Sequence, residues 1–354
     1  MNMPQPLLGV TSQMIQTPRL KMHVLTSGDP AGVPVIFLHG NFSAALYWEE
    51  TMLALPAGFR AIAPDLRGYG WTEDVLIDST RGYRDWSDDL AALMDVMGVE
   101  KAHLVGWSMG AGIVYRFIGD FPVRVLSATL ICPVSPFGFG GTKGAEGTPL
   151  FEDHAGSGGG VVNQEFAKRI QAQDRSSDDP NSPRNIINAF YYVPPFHAAR
   201  EEDFLTASLM EKTGADRYPG DFVPSPNWPF VAPGVYGPVN CWSLKYLKAD
   251  VPDLLAAQPK PPVLWLRGSH DLIVSDTSFF DIANLGKLGY VPGWPGDEVA
   301  PPQPMLQQTR AVLEKYTAAG GSFEEHVIEN TAHSPHIEKP DVFNTLFHQF
   351  LKKA

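Results

Sequence analysis

A serine lies between two glycines at the point where an apolar run gives way to a helical pattern. The motif GWSMG at 106–110 follows the apolar run 102–105 and opens the helical pattern at 109–118. A serine on such a tight strand-to-helix turn has a strained backbone and crowded neighbours, so the flanking glycines are needed. The helix start also offers free N–H groups and a partial positive charge to a developing oxyanion. The motif therefore predicts that Ser108 is a nucleophile.

A serine hydroxyl is a weak nucleophile, so a base must take its proton and a carboxylate must orient that base. Hydrolases with a nucleophile of this kind use the chain order Ser, Asp or Glu, His. Asp271 follows the predicted strand 262–267, and His333 follows the predicted strand 322–328. Doubly wound sheets place their sites at the carboxyl ends of such strands. We therefore expect Asp271 to be the acid and His333 the general base.

Other titratable residues remain as alternatives, but each is less well placed. Asp276 lies further from the strand end than Asp271, and His336 lies nearer the final helix, which favours a surface or packing role. His326 falls within a predicted strand. His39 ends another strand, and no His, Asp or Glu stands beside it at metal-ligand spacing. We expect His39 to hydrogen-bond the loop backbone and to hold its shape.

The oxyanion needs two preorganised donors, and the loop after the predicted strand 33–38 supplies one of them. This loop contains HGN at 39–41 and should lie beside the nucleophile turn. We predict that the backbone N–H groups of Asn41 and Met109 form the oxyanion hole, each contributing about 2.7–4 kcal/mol to transition-state stabilisation.

The elements that must position these residues alternate along the chain. Short apolar runs rich in β-branched residues alternate with helical patterns up to residue 136 and again from residue 260. Such runs are typical of parallel strands that helices cover on both faces. The alternation predicts an α/β fold with a doubly wound, mostly parallel sheet. Residues 19–26 alternate apolar and polar side chains, which indicates a half-exposed strand near a sheet edge.

Between these parts the alternation stops. Residues 137–259 contain helical patterns without intervening strands, a glycine-rich start and a segment rich in Pro, Gly and aromatic residues. We predict that 1–136 and 260–354 form the core domain and that 137–259 forms a large, mainly helical cap. We expect most aromatic rings of the cap to pack in its own core. Some could line an apolar substrate pocket, and the candidates are Trp107, Phe137, Phe139 and Trp242.

Composition excludes several classes of partner. The net charge of −12 at pH 7 and the absence of any dense Lys/Arg run argue against a nucleic-acid or an anionic-membrane partner. The two cysteines, Cys132 and Cys241, form neither a disulfide framework nor a zinc motif. We therefore expect no metal and no cofactor. The start of the chain lacks a signal-peptide pattern and no apolar stretch is long enough to span a bilayer, so a cytoplasmic protein is expected. We expect it to be a monomer or a homodimer.

Taken together, these motifs resemble the α/β-hydrolase superfamily, in its capped branch of esterases, lactonases and cofactor-free perhydrolase-like enzymes. The resemblance covers residues 19–136 and 260–353. The matching motifs are HGN at 39–41, DLRGYG at 65–70, GWSMG at 106–110, LRGSHDLIV at 266–274 and NTAHSPHIEKP at 330–340.

The resemblance implies the same roles for Ser108, Asp271 and His333, with Asn41 and Met109 as oxyanion donors. It also implies that Asp65 and Arg67 belong to a loop that shapes the site without doing chemistry. Two features depart from the family. The separation between Asp271 and His333 is longer than usual, partly through a Pro/Gly-rich stretch within 287–304, and the cap is large.

The expected activity is cleavage of a carboxylic ester or lactone of a small apolar or aromatic substrate through an acyl-enzyme. A carbon–carbon bond hydrolase, a perhydrolase and a hydroxynitrile lyase use the same triad and remain alternatives, as does a non-catalytic small-molecule receptor. Epoxide hydrolases and haloalkane dehalogenases use an aspartate nucleophile, which Ser108 argues against. A peptidase acting at a free N-terminus would need cap carboxylates, but a solvated helix start explains Glu201, Glu202 and Asp203 better.

Overall fold

The structure of the protein is a computed structural model that describes residues 2–354. Its centre is an eight-stranded sheet in the order β1-β2-β4-β3-β5-β6-β11-β12. The strands of this sheet are β1 Thr11–Gln16, β2 Lys21–Gly28, β3 Val33–Leu38, β4 Phe59–Pro64, β5 Ala102–Trp107, β6 Val125–Ile131, β11 Val263–Gly268 and β12 Phe323–Ile328. Only β2 runs antiparallel to its neighbours, β1 and β4. The prediction of a doubly wound, mostly parallel α/β sheet is confirmed.

Every residue of β5 is buried, as its apolar sequence on both faces requires. The strand predicted near a sheet edge, residues 19–26, is β2, which lies one position in from the edge. The edge itself is β1, whose residues are mostly exposed or half-buried. Since β1 lacks a clear apolar face, its sequence carries no strand signal, and its pairing with β2 is a tertiary effect.

Helices cover both faces of the sheet. The helices are α1 Glu49–Leu53, α2 Arg84–Val96, α3 Met109–Asp120, α4 Gln164–Gln171, α5 Pro183–Ile186, α6 Glu201–Ser208, α7 Leu244–Leu247, α8 Asp250–Ala256, α9 Ile282–Lys287, α10 Met305–Ala318, α11 Pro335–Glu338 and α12 Pro340–Lys353. One layer contains α2, α3, α8 and α10, which contact one another. On the other face, Phe37 of β3 packs against Phe347 of α12 and against Trp48.

Residues 137–259 connect β6 to the layer that precedes β11. They contain helices α4 to α8, a π-helical turn at Ile187–Tyr191 and two short antiparallel pairs. These pairs are β7 Thr142–Lys143 with β8 Thr148–Pro149, and β9 Phe222–Pro224 with β10 Val231–Pro233. The last helix of this segment, α8, packs against α3 in the layer that covers the sheet.

The Pro/Gly-rich stretch after α9 folds against the same segment. Trp294 and Ala300 pack around Trp228, which also donates a hydrogen bond to Pro292 O. The stretch therefore forms a small apolar cluster of its own with Ala283. Among the described residues, no helix has both the length and the apolar character needed to cross a membrane.

Candidate active site

Ser108 occupies the turn between β5 and α3 with φ 56° and ψ −117°. A non-glycine residue with positive φ is strained, and this conformation is costly outside a site that requires it. The backbone of Ser108 is held on both sides, because its N–H donates to Ile131 O and its carbonyl accepts from Ala111 N. The backbone of Ser108 is thus fixed at the carboxyl end of the central strands.

Glycines allow this turn to pack tightly. A Cβ at Gly106 would lie 2.5 Å from Gly110 O, and one at Gly110 would lie 2.2 Å from Leu38 O. A Cβ at Gly40 would lie 3.1 Å from Ser108 Cβ. The loop that contains Asn41 therefore lies directly beside the nucleophile turn.

Asp271 and His333 meet at the carboxyl ends of β11 and β12. Nδ1 of His333 lies 2.8 Å from Oδ2 of Asp271, and both side chains are buried. The other carboxyl oxygen of Asp271 accepts from the backbone N–H groups of Ile273 and Val274 at 2.8 and 3.0 Å. A carboxylate held in this way fixes Nδ1–H as the donor and leaves Nε2 as the basic nitrogen.

The alternative residues have other partners. Asp276 accepts from Leu306 N at 2.8 Å, at the start of α10, and does not contact His333. His336 is buried against Trp48 with ring centroids 4.6 Å apart, and burial lowers its pKa to about 3. His336 is therefore a packing residue and not a surface one. His326 lies on β12 with its side chain 39% exposed.

Three hydrogen bonds and one ring contact hold the loop that contains His333. Trp107 Nε1 donates to His333 O at 2.7 Å, and Glu338 accepts from Ala332 N at 2.6 Å. The ring of Tyr191 lies 6.0 Å from that of His333, and Tyr191 O accepts from Ser334 N. The histidine thus contacts both the sheet and the segment 137–259.

Neither the Ser108 hydroxyl nor Nε2 of His333 has a hydrogen-bond partner within residues 2–354. Catalytic contacts of this kind are often long or misaligned in unliganded enzymes and tighten in the substrate complex. Neither group is therefore taken up by another hydrogen bond among these residues.

The loop at 39–41 is held by His39 and by tyrosines. Burial lowers the pKa of His39 to about 4. The neutral ring accepts from Leu66 N at Nε2, so Nδ1–H donates to Gly40 O at 2.8 Å. The Tyr69 hydroxyl donates to Asn41 Oδ1 at 2.9 Å, and the Tyr191 hydroxyl donates to Asn41 O at 2.9 Å.

Asp65 holds the neighbouring loop. Its carboxylate accepts from Ala45 N and Trp71 N and lies 2.7 Å from His23 Nδ1. Burial alone would raise the pKa of Asp65, but the contacts with His23 and with the N–H group of Trp71 help to lower it overall. Arg67 makes a two-pronged pair with the carboxylate of Asp89, so both residues are taken up by structural contacts.

Met109 begins α3, so its backbone N–H has no acceptor within the helix. Its side chain is buried, and its sulfur accepts from the Tyr69 hydroxyl at 3.4 Å. Asn41 lies in the loop after β3, beside the turn at Ser108, and Met109 follows Ser108 directly. Their role as oxyanion donors stays a prediction.

One cluster has a spacing that a metal ion could use. Single ligand atoms of Cys132, Asp271 and His333 lie within 4.8 Å of one another. However, burial and the charge of Asp271 raise the pKa of the Cys132 thiol well above its ordinary value, and a protonated thiol is a poor metal ligand. The carboxylate and Nδ1 are also already joined by a hydrogen bond, which accounts for their proximity.

Of the four aromatic residues predicted to line a substrate pocket, Trp107 lies next to His333, whereas Phe137, Phe139 and Trp242 have other neighbours. Trp107 is fully buried with its ring 5.7 Å from that of His333. Phe139 donates its N–H to Trp242 O at 2.9 Å, so these two residues are neighbours. Phe137 lines a cavity of about 660 Å³ that is bounded by α7 and α8 and contains none of Ser108, Asp271 and His333.

Sequence reasoning missed two residues near the site. Tyr191 contacts both Asn41 and His333, and Glu211 is buried close to Tyr69. Neither belongs to a motif. Glu211 follows α6 and precedes a polar segment, and nothing in this context distinguishes it from a solvated carboxylate.

Comparison with known proteins gives a consistent result. A family model described as alpha/beta hydrolase fold matches residues 33–146. Epoxide hydrolase 3 of Siraitia grosvenorii is 33% identical over 196 residues, which cover 51% of this chain and 60% of that protein. The matches with two further curated relatives cover only 39% and 35% of the length of those proteins. The chain therefore spans between 35% and 60% of the length of these curated relatives.

Solved structures match over nearly the whole chain. Carboxylesterase CesB (YbfK) from Bacillus subtilis superimposes with a TM-score of 0.59 at 16% identity, covering 98% of this chain and 93% of that one. The 2-hydroxy-6-oxo-6-phenylhexa-2,4-dienoate hydrolase from Rhodococcus sp. strain RHA1 gives 0.59 at 17% identity, with 97% and 99% covered. At such identities the likeness establishes the fold alone.

Proposed function

The chain is a member of the α/β-hydrolase superfamily, and from this premise we propose that it is a serine hydrolase that cleaves a carboxylic ester of a small molecule. The single observation that carries the proposal is the pairing of His333 with Asp271 at 2.8 Å beside a serine held at positive φ. Epoxide hydrolases are among the relatives, but the aspartate nucleophile of such enzymes is replaced here by Ser108.

The mechanism follows from these positions. Ser108 Oγ attacks the carbonyl carbon while His333 Nε2 takes its proton, and Asp271 stabilises the imidazolium. The carbonyl oxygen becomes an oxyanion that accepts from the N–H groups of Asn41 and Met109. The imidazolium then protonates the leaving alcohol, and water attacks the acyl-enzyme by the same steps in reverse.

We also propose that residues 137–259 act as a cap over this site. Two contacts support the proposal: Tyr191 donates to Asn41 O, and Ser334 N donates to Tyr191 O. The Tyr47 hydroxyl joins the core to α6 through Ser208 at 2.8 Å. A cap held in this way would limit the access of bulk water to the site.

Hydrolysis of p-nitrophenyl esters of graded chain length tests the proposal. We expect turnover by the native chain and none by Ser108→Ala, together with covalent labelling of Ser108 by a serine-reactive phosphonate, detected by mass spectrometry. Asp271→Asn should lower turnover strongly, whereas Asp276→Asn should not. Asp276 is a matched control because it lies on the same loop, but its carboxylate contacts α10 instead of His333. Tight binding of small ligands without turnover or labelling would instead indicate a receptor.

A carbon–carbon bond hydrolase is the second candidate, because the same three residues serve that reaction and the structural likeness to the Rhodococcus hydrolase covers 97% of this chain. Cleavage of a 2-hydroxy-6-oxo-dienoate, followed by its absorbance, together with inactivity toward p-nitrophenyl esters, would favour this candidate over the esterase.

A further inference from the structure

The backbone that follows Asn41 has a strained conformation beside the nucleophile turn. Phe42 has a φ of 47°, in the left-handed region that non-glycine residues seldom adopt. It directly follows Asn41, whose backbone N–H is a predicted oxyanion donor. Strain of this kind persists only where surrounding contacts fix the conformation. The contacts of Asn41 and Phe42 therefore decide whether this donor keeps its direction.

Residues of the segment 137–259 provide these contacts. The Tyr191 hydroxyl lies 2.9 Å from Asn41 O and 3.1 Å from Phe42 O, so its one proton is shared between two neighbouring carbonyls. The Ser208 hydroxyl donates to Phe42 O at 2.9 Å. No other group within residues 2–354 donates a hydrogen bond to either carbonyl. The strained turn is thus held from outside the core domain.

The turn at Phe42 controls the peptide group that contains the N–H of Asn41. Because the chain reverses at Phe42, the Ser43 hydroxyl reaches back and donates to Gly40 O at 2.8 Å. His39 Nδ1 lies 2.8 Å from the same oxygen. A peptide group is planar, so the direction of Gly40 O fixes that of the Asn41 N–H. Loss of the turn would move Ser43 away and release this N–H.

Tyr191 also connects this loop to the loop that contains the general base. Its carbonyl accepts from Ser334 N at 3.0 Å, and Ser334 follows His333. A π-helical turn at Ile187–Tyr191 ends at this residue, and such turns are frequent at functional sites. One residue therefore contacts both loops, through its hydroxyl on one side and through its backbone on the other.

We propose that Tyr191 is a positioning residue for catalysis, whose hydroxyl holds the turn at Phe42 so that the Asn41 N–H points at the oxyanion. This inference rests on the proposed esterase function and assigns part of the transition-state stabilisation to the segment 137–259. The hydroxyl proton is used by two carbonyls and is not offered to the substrate. Its removal therefore weakens an interaction made in the transition state and leaves substrate binding unchanged.

Tyr191→Phe, with Tyr192→Phe as the matched control, tests the inference. Both substitutions remove a buried phenol hydroxyl, but that of Tyr192 has no hydrogen-bond partner within residues 2–354. For p-nitrophenyl butyrate we expect kcat of Tyr191→Phe to fall about tenfold or more, which is part of the loss of about 10²- to 10³-fold caused by removal of a whole oxyanion donor. KM should change less than about twofold, and Tyr192→Phe should keep the native kcat.

Two further measurements separate an effect on the oxyanion from an effect on the base. A trifluoromethyl ketone forms a tetrahedral adduct with a nucleophilic serine, and the oxygen of this adduct needs the same donors. Its inhibition constant for Tyr191→Phe should rise by the factor by which kcat/KM falls. The acid limb of the pH profile of kcat/KM reports the base and should not shift, because the Tyr191 carbonyl still holds Ser334 N.

Equal kcat in the two variants, an unchanged inhibition constant of the ketone or a shifted acid limb in Tyr191→Phe would overturn the inference. Unfolding of Tyr191→Phe under conditions where Tyr192→Phe is folded would also overturn it, since the hydroxyl would then support the whole fold. If the native chain does not hydrolyse the ester but the phosphonate labels Ser108, the labelling rates of the two variants decide. Absence of both turnover and labelling in the native chain would instead refute the proposed function, and the inference with it.

Discussion

Gly268 is the last residue of β11, and at this point the strand that leads to Asp271 touches the loop that contains His333. A Cβ at this position would lie 2.0 Å from Ala332 O and 2.4 Å from Thr331 O. Real Cβ contacts are essentially never shorter than 3.0 Å, and both obstacles are backbone atoms. Gly268→Ala must therefore push the histidine loop away from β11 by about 1 Å.

A displacement of this size is large for a catalytic contact. The Nδ1–Oδ2 distance is 2.8 Å, and its lengthening by about 1 Å exceeds the range of a hydrogen bond. Misplacement by about 1 Å costs about 10²-fold in rate, and complete loss of the acid costs about 10⁴-fold. We therefore expect kcat of Gly268→Ala to fall by a factor between these limits, together with a loss of stability.

The assay is kcat for p-nitrophenyl butyrate, measured at a temperature where circular dichroism shows the variant to be folded. Gly320→Ala is the control: its added Cβ meets nothing within 4 Å, but its φ of +95° makes the substitution strained. Equal loss of kcat in both variants would attribute the effect to general destabilisation. Unchanged kcat in a folded Gly268→Ala would refute the reasoning that the Asp271–His333 contact supports catalysis.

Three further predictions concern buried groups. Asp271→Asn should lower kcat by about 10⁴-fold while leaving the melting temperature near the native value. Asparagine keeps the shape of the side chain but not the charge that holds the His333 proton on Nδ1. A retained kcat would show that another carboxylate orients His333. Burial raises the pKa of Asp281 to about 6 from 3.8, so the stability that its proton contributes is present below 3.8 and is lost as pH rises through about 6. Urea unfolding across this window should show a decline in the free energy of unfolding, to which Asp281 contributes about 3 kcal/mol. Asp281→Asn should remove this contribution but not that of Asp250, whose pKa burial also raises to about 6; an unaltered decline would contradict the assignment. The thiols of Cys132 and Cys241 are buried, and burial raises their pKa values. Iodoacetamide at mildly alkaline pH should therefore label neither thiol until the chain unfolds. Labelling of the native protein, detected by mass spectrometry, would contradict this prediction.

The central strands and helices could be predicted closely because their signals are local. Residues 33–38 form a strand with the predicted bounds, and the helical pattern at 109–118 corresponds to α3. The turn at Ser108 was predictable for the same reason, since glycines, a preceding apolar strand and a following helix stand together in sequence. The contact between Asp271 and His333 needed only the rule that parallel strands end at one edge.

Other features depend on contacts between distant parts of the chain and leave no local signal. The exposed strand β1 exists because β2 offers it a pairing edge. His336 is buried because Trp48, which is far away in the sequence, stacks on it. Glu211 lies beside the site because Lys212 binds two carbonyls of the loop that contains Tyr69, and no motif records this contact.

The order of strands in the sheet has a consequence for synthesis of the chain. Strand β6 pairs with β11, but about 130 residues separate the end of one from the start of the other. At translation rates of about 5–20 residues per second, the apolar strand β6 waits roughly 7 to 26 s with one edge unpaired. Such an edge invites pairing with another nascent chain. A ribosome-bound chaperone, or a cap segment that folds early, would therefore decide how much of the protein reaches its native state.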